Sequence, residues 1–253
     1  MSELAARGLV RVYGTRRVVD GVSLTVGGGE AVGLLGRNGA GKSTTFQMVA
    51  GLVAPTSGEV VLNGVSITTR PPHERARLGL TYLPQERSVF LKLTARENLL
   101  LILEEWGVPR RERVGRADAL LQEFGLAASA DLKAYALSGG EARKLEVARA
   151  LAIDPAFMLL DEPFAGVDPI NAREIRDAIR ALKARGIGVL LSDHNVYYAF
   201  EVIDRGYIID GGRVLVQGTP LELATDPRAR AAFLGEEFQV PPGLARQIEA
   251  RTR

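Results

Sequence analysis

The chain has 253 residues, no cysteine, and 32 basic against 30 acidic residues, a net charge of +2. The missing thiols exclude disulfides, thiolate metal sites, iron–sulfur clusters and cysteine nucleophiles. Two histidines, His73 and His194, exclude a histidine-rich metal site, and the balanced charge argues against a general nucleic-acid binder. The composition is 46% apolar and 25% charged, that of a globular protein of one or two domains. The longest aliphatic run, Leu99 to Leu103, falls far short of the ~18 residues a membrane span needs. The first residues carry Glu3, Arg7 and Arg11 and show no apolar signal-peptide core. A cytoplasmic protein with no membrane span of its own and no nucleic-acid partner is expected.

Residues 4–12, 18–26 and 30–35 read as strands, separated by Tyr13-Gly14-Thr15 and Gly27-Gly28-Gly29. Ala31 to Leu35 is apolar almost throughout, which predicts burial on both faces. It runs into Gly36-Arg37-Asn38-Gly39-Ala40-Gly41-Lys42-Ser43, and a helix pattern continues to about Gly51. Residues 58–62 and 78–83 are further short strands. From about 86 to 150 the texture changes, and 93–105, 110–124 and 141–152 have helical spacing. Arg110 to Arg113 reads as a solvated face. Strands at 157–161, 187–192, 206–210 and 213–217 then alternate with helices at 171–185, 196–203, 220–225 and 227–235. Such alternation predicts an α/β body with a mostly parallel sheet, into which the helical block is inserted. Residues 239–253 contain Pro241-Pro242 and read as a tail.

Gly36 to Ser43 fits the phosphate-loop pattern, Gly, four residues, Gly-Lys, then Ser or Thr. Glycines let backbone N–H groups face phosphate oxygens, Lys42 places a point charge on the β/γ-phosphates, and Ser43 offers a hydroxyl to Mg²⁺. The N-terminus of the following helix adds a positive dipole end. A plain glycine-rich turn is the bland alternative. Phe157 to Glu162 is an apolar strand ending in two carboxylates. Asp161 is placed to hold Mg²⁺, and Glu162 to polarise a water against the γ-phosphate. Ser138-Gly139-Gly140-Glu141 opens a helix as a capping box. Two adjacent glycines destabilise a helix start, so they point to something approaching the backbone closely.

Leu137-Ser138-Gly139-Gly140-Glu141, the phosphate loop and the paired carboxylates together resemble the ATP-binding subunits of ABC transporters. The resemblance covers almost the whole chain. It implies a phosphate-loop NTPase core: a RecA-like, mostly parallel sheet, an N-terminal antiparallel β subdomain and an inserted helical subdomain. One ATPase domain over 1–238 is expected, its core near 1–85 and 153–238 and its helical part near 86–152. The resemblance also implies a head-to-tail homodimer with two ATP molecules between the copies. Each would be held by Gly36 to Ser43, with Thr44, of one copy and by Leu137 to Glu141 of the other.

By the same resemblance, Tyr13 matches the aromatic residue that stacks on adenine, against the alternative of an ordinary turn aromatic. Gln85 matches the glutamine that senses Mg²⁺ and the attacking water. Asp168 matches the aspartate loop that crosses the dimer interface, and His194 the histidine that contacts the γ-phosphate. Arg37 stands where a proline is common, and Ala142 and Lys144 depart from a more arginine-rich helix start.

Glu162 to Pro169, Asp193 to Val196 and Phe233 to Phe238 look like the lipopolysaccharide-export branch of the family, with branched-chain amino-acid importers as a related branch. In the export branch the region around Phe90 belongs to a groove for a coupling helix from each of two membrane permeases; a core residue is the alternative. The subunit would sit on the cytoplasmic face of the inner membrane. A soluble ABC protein is disfavoured by the single nucleotide unit, and a kinase or GTPase by the Ser138 segment.

Overall fold

The computed structural model describes residues 2–166, 169–235, 238–243 and 245, with 169–171 described by backbone alone. The first half of the chain forms β1 (Glu3–Tyr13), β2 (Arg16–Gly27), β3 (Ala31–Leu35), α1 (Lys42–Ala50), β4 (Ser57–Leu62), β5 (Val65–Ser66), α2 (Pro72–Arg77) and β6 (Leu80–Leu83). Helices α3 (Ala95–Glu105), α4 (Arg110–Glu123) and α5 (Gly139–Leu151) follow, with 3₁₀ turns at Ala127–Ser129 and Ala134–Ala136. The last part runs β7 (Phe157–Asp161), α6 (Pro169–Ala184), β8 (Gly188–Asp193), α7 (Val196–Phe200), β9 (Arg205–Asp210), β10 (Arg213–Gly218), α8 (Pro220–Thr225), α9 (Pro227–Ala229) and a π turn over Arg230–Leu234. Two compact units result, Met1–Leu80 with Ala156–Arg253, and Thr81–Pro155.

The first unit holds two sheets. One is antiparallel, in the order β2-β1-β4-β5; the other runs β10-β9-β3-β8-β7. Strands β9, β3, β8 and β7 are mutually parallel, and β10 returns antiparallel. Every residue of β3, β7 and β8 is buried. Their unbroken apolar runs are what a parallel strand covered on both faces requires. This is the α/β class expected from the alternating patterns. Phe46, Met48 and Val49 bury one side of α1.

The second unit has its own core. Ala95, Leu99 and Leu103 of α3, Ala117 and Leu121 of α4, and Ala142, Leu145 and Ala148 of α5 pack together with Val89, Leu126 and Leu137. Capping boxes at Thr94 and Ser138 start α3 and α5. Arg111 is exposed as expected, but Arg113 is drawn inward by Glu104 and the Val108 carbonyl. No helix among the described residues is long and apolar enough to cross a membrane.

Two elements escape the sequence pattern. β5 has only two residues, too few to show a period. α2 is polar along its length, and its one buried side chain is Arg75. That guanidinium is 1% exposed and donates to the carbonyls of Met48, Val49, Thr68 and Arg70 at 2.6–2.8 Å. Met48 and Val49 lie in the last turn of α1, where orphan carbonyls and the negative dipole end favour a cation. Burial still pushes Arg75 down to about 10. Removing it strands the carbonyls of Val49, Thr68 and Arg70, while that of Met48 keeps the Gly51 N–H, and an unsatisfied buried acceptor costs ~1–3 kcal/mol. Arg75→Met is therefore expected to lower unfolding stability by roughly 3 kcal/mol in urea titration, whereas exposed Arg70→Ala changes it by under ~0.5 kcal/mol.

Candidate functional site

Parallel register sets the site. Leu35 pairs with Asp193, and Asp161 with Ser192, so β3, β8 and β7 end level. Three loops leave that edge side by side: Gly36 onward, His194 onward and Glu162 onward. The carboxyl edge of a parallel sheet is where α/β folds bind ligands.

The loop from Gly36 to Ser43 is held tightly from outside. A Cβ on Gly36 would lie 2.3 Å from the Ile209 carbonyl, and one on Gly41 2.8 Å from that of Val18. Both glycines also have positive φ, +150° and +105°. The Ala40 carbonyl accepts from Gly212 N–H. Lys42 is buried, and its Nζ donates to the carbonyls of Gly36 at 2.7 Å and Arg37 at 3.1 Å. Burial pushes the ammonium down, while Glu162, Asp193 and Asp161 pull it back up. Among the described residues, the N–H groups of Gly39, Gly41, Lys42 and Ser43 find no acceptor. Arg37, Asn38, Gly39 and Ser43 are exposed, and Thr44 is half-buried.

Asp161 ends β7 with little exposed surface and accepts from the Ser192 hydroxyl at 2.6 Å. Glu162 follows at φ +47°. For a residue with a Cβ this left-handed conformation costs on the order of 1 kcal/mol. Its N–H donates to the Ser192 carbonyl at 2.8 Å. His194 Nδ1 lies 3.4 Å from Glu162 Oε2. Asp193 is fully buried, and burial pushes its carboxyl up against two hydrogen bonds that lower it.

The first unit thus brings together the loop, Lys42, Asp161, Glu162 and His194. Tyr13 stands at the end of β1, 45% exposed, with the Arg11 guanidinium 4.4 Å from its ring centre. The second unit carries Gln85, exposed after β6, Phe90, 46% exposed, and Leu137 to Glu141. Asp168 lies outside the described residues, as do Glu236, Glu237 and most of the stretch 239–253. Sequence reasoning did not single out Ser192 or Asp193 as site residues. The available signal was two polar residues closing an otherwise apolar strand.

The family model described as "ABC transporter" matches residues 19–165. The chain belongs to the ABC transporter family. It is an ABC-type ATPase. It is 52% identical to the lipopolysaccharide export system ATP-binding protein LptB of Acidithiobacillus ferridurans, over 95% of this chain and all of that protein. The Escherichia coli K12 protein of the same name is 46% identical over the same shares. A solved ATP-binding cassette of an ABC transporter, in its ADP conformation, superposes with a TM-score of 0.84 at 30% identity, covering 93% of this chain and 100% of that one.

In this ABC ATPase the segment from Leu137 to Glu141 has a defined electrostatic state. Glu141 accepts from the Ser129 hydroxyl at 2.6 Å, the Ser138 hydroxyl at 2.7 Å and the Ser138 N–H at 3.0 Å. These bonds, Ser129's foremost, hold its carboxyl at about 2. Its folded value lies below the unfolded one. Its stabilisation is therefore full above the ordinary carboxylate value, about 4.3, and is lost as pH falls through about 2. A carbon-13 titration should find Glu141 still ionised near pH 3, and Ser129→Ala should raise its pKa toward that ordinary value.

Proposed function

We propose that this ATPase powers lipopolysaccharide export, working as a homodimer under two transmembrane permeases on the cytoplasmic face of the inner membrane. The alignment with lipopolysaccharide-export ATP-binding proteins, end to end on their side at 46–52% identity, carries this reading. No helix among the described residues is long and apolar enough to cross a membrane, as this reading requires.

The residues fit ATP and Mg²⁺. Unpartnered N–H groups at the start of α1 suit phosphate oxygens, and Gly36 and Gly41 keep the loop closed around them. Lys42 exchanges the Gly36 and Arg37 carbonyls for phosphate oxygens, a stronger acceptor for a buried cation. Arg37, Asn38, Gly39, Ala40 and Thr44 complete the cradle, and Tyr13 stacks on adenine. Mg²⁺, when bound, neutralises charge developing on the transferred phosphoryl group. Ser43 and Asp161, with Gln85, would hold the ion together with nucleotide phosphates and water, which needs no cluster of three or more His, Asp or Glu side chains, and none occurs among the described residues. Glu162 accepts the proton of the attacking water, and His194 beside it contacts the γ-phosphate.

The second copy supplies Leu137 to Glu141 to the same nucleotide, and Asp168 belongs to that interface. Gly139 supports this. A Cβ there would meet only the Arg87 guanidinium, at an ordinary 3.5 Å. Nothing described within the chain demands glycine at this exposed position, where it costs up to ~1 kcal/mol against alanine. Phe90, exposed in the second unit, contacts the permease coupling helices.

Glu162→Gln should cut hydrolysis by roughly 10²–10⁴-fold and accumulate an ATP-bound dimer on size exclusion. An unchanged rate with monomer only would refute the assignment of Glu162. Purification from the native membrane should recover two multi-span subunits that transfer lipopolysaccharide. Recovery with an amino-acid permease, DNA or ribosomes would overturn the export reading.

A further inference from the structure

Asp193 is a buried carboxylate to which the scheme above gives no task. It is the last residue of β8 and has no exposed surface. Among the described residues no arginine or lysine forms an ion pair with it, and His194 Nδ1 stands 3.9 Å from its Oδ1. A carboxylate without a close cation persists in an interior only when strong donors satisfy it. Asp193 has two, both backbone. Oδ2 accepts from Phe164 N–H at 2.8 Å, and Oδ1 from Asn195 N–H at 2.7 Å. Neither donor belongs to a strand ladder. Phe164 lies in the turn two residues after Glu162, and Asn195 directly follows His194.

We propose that Asp193 is a positioning residue for ATP hydrolysis, one that bolts the loop carrying Glu162 to the loop carrying His194. The backbone of Glu162 needs such a bolt, because φ +47° is a conformation a non-glycine residue leaves unless its surroundings hold it. The Ser192 carbonyl fixes the Glu162 N–H, and Asp193 fixes the chain two residues on. Together they clamp both sides of the turn. The 3.4 Å approach of His194 to Glu162 is then set by one rigid carboxylate. The charge of Asp193 also faces Lys42, Glu162 and His194, and it helps to pull the buried Lys42 ammonium back up.

This proposal rests on the assignment of Glu162 as the base. The decisive variant is Asp193→Asn, which keeps the shape but presents an amide NH₂ to one of the two N–H donors. Steady-state hydrolysis and equilibrium binding of a fluorescent ATP analogue are measured on the same protein, with its melting temperature. Turnover is expected to fall at least ~10-fold while nucleotide affinity stays within about twofold, since misplacing a catalytic group by about 1 Å can cost ~10²-fold. Asp193→Glu retains the charge but displaces the carboxylate, and should show the same split. Wild-type turnover in either variant overturns the proposal. Loss of turnover and affinity together, in step with melting temperature, or failure of both variants to fold, overturns it too and leaves Asp193 a structural residue. Glu162→Gln separates the two ideas. If it retains turnover, the base assignment fails; if it abolishes turnover while Asp193→Asn does not impair it, only the positioning role fails.

Discussion

Everything at this site depends on the parallel register of β3, β8 and β7. A parallel ladder fixes which residues lie abreast, and here it sets Leu35 beside Asp193 and Ser192 beside Asp161. The loop beginning at Gly36, the turn beginning at Glu162 and the turn carrying His194 consequently start from one line. Because side-chain orientation alternates along a strand, a slip of one residue in β7 would turn Asp161 to the other face of the sheet. Burial of every residue in these three strands resists such a slip. The apolar core thereby supplies the precision that phosphoryl transfer requires, since its catalysis is mainly positioning and electrostatics.

The same edge concentrates charge in a nearly dry place. Lys42, Asp161, Glu162 and Asp193 share it, and Lys42 is the one buried cation among them. The protein manages this with backbone groups and one side-chain hydroxyl: two carbonyls under Lys42, the Ser192 hydroxyl on Asp161, two N–H groups on Asp193. Each contact also fixes a loop. Polar satisfaction and geometric control are thus one set of bonds, and strain at Glu162 is tolerated because its neighbours on both sides are tied down.

Much of this was legible in the sequence because it rests on periodicity or on a dense motif. β3 and β7 announce themselves as unbroken apolar runs, and Gly36 to Ser43 leaves little freedom of reading. What stayed hidden has no period. α2 buries only an arginine, so its pattern looks like a polar loop. The role of Arg75 at the end of α1 depends on a contact 26 residues distant, which no local pattern encodes. Ser192 and Asp193 read as the frayed end of a strand until the register shows what they face. Helix 196–203 was expected to run longer than α7 does; its last apolar residues, Val202 and Ile203, are buried in the turn toward β9 instead of in a helix. Hydrophobic spacing reports burial there, not conformation.

Phe90 shows the opposite case, an apolar residue outside a core, with its backbone held by polar ones. Within the second unit, Asn98 is fully buried and bonds both the N–H and the carbonyl of Phe90. Arg149 donates to the Ser88 carbonyl and lays its guanidinium 4.9 Å from the Phe90 ring centre. Glu146, also buried, accepts from the Ser88 N–H. A phenylalanine free to choose would fold into the adjacent cluster of Val89, Ala95 and Leu99, gaining about 25 cal/mol for each Å² removed from water. Three buried or half-buried polar side chains from α3 and α5 instead hold the backbone of Ser88 and Phe90, and one of them lies against the ring. So much polar machinery spent on one exposed ring makes the outward pose a built feature of the second unit and not a gap in its packing.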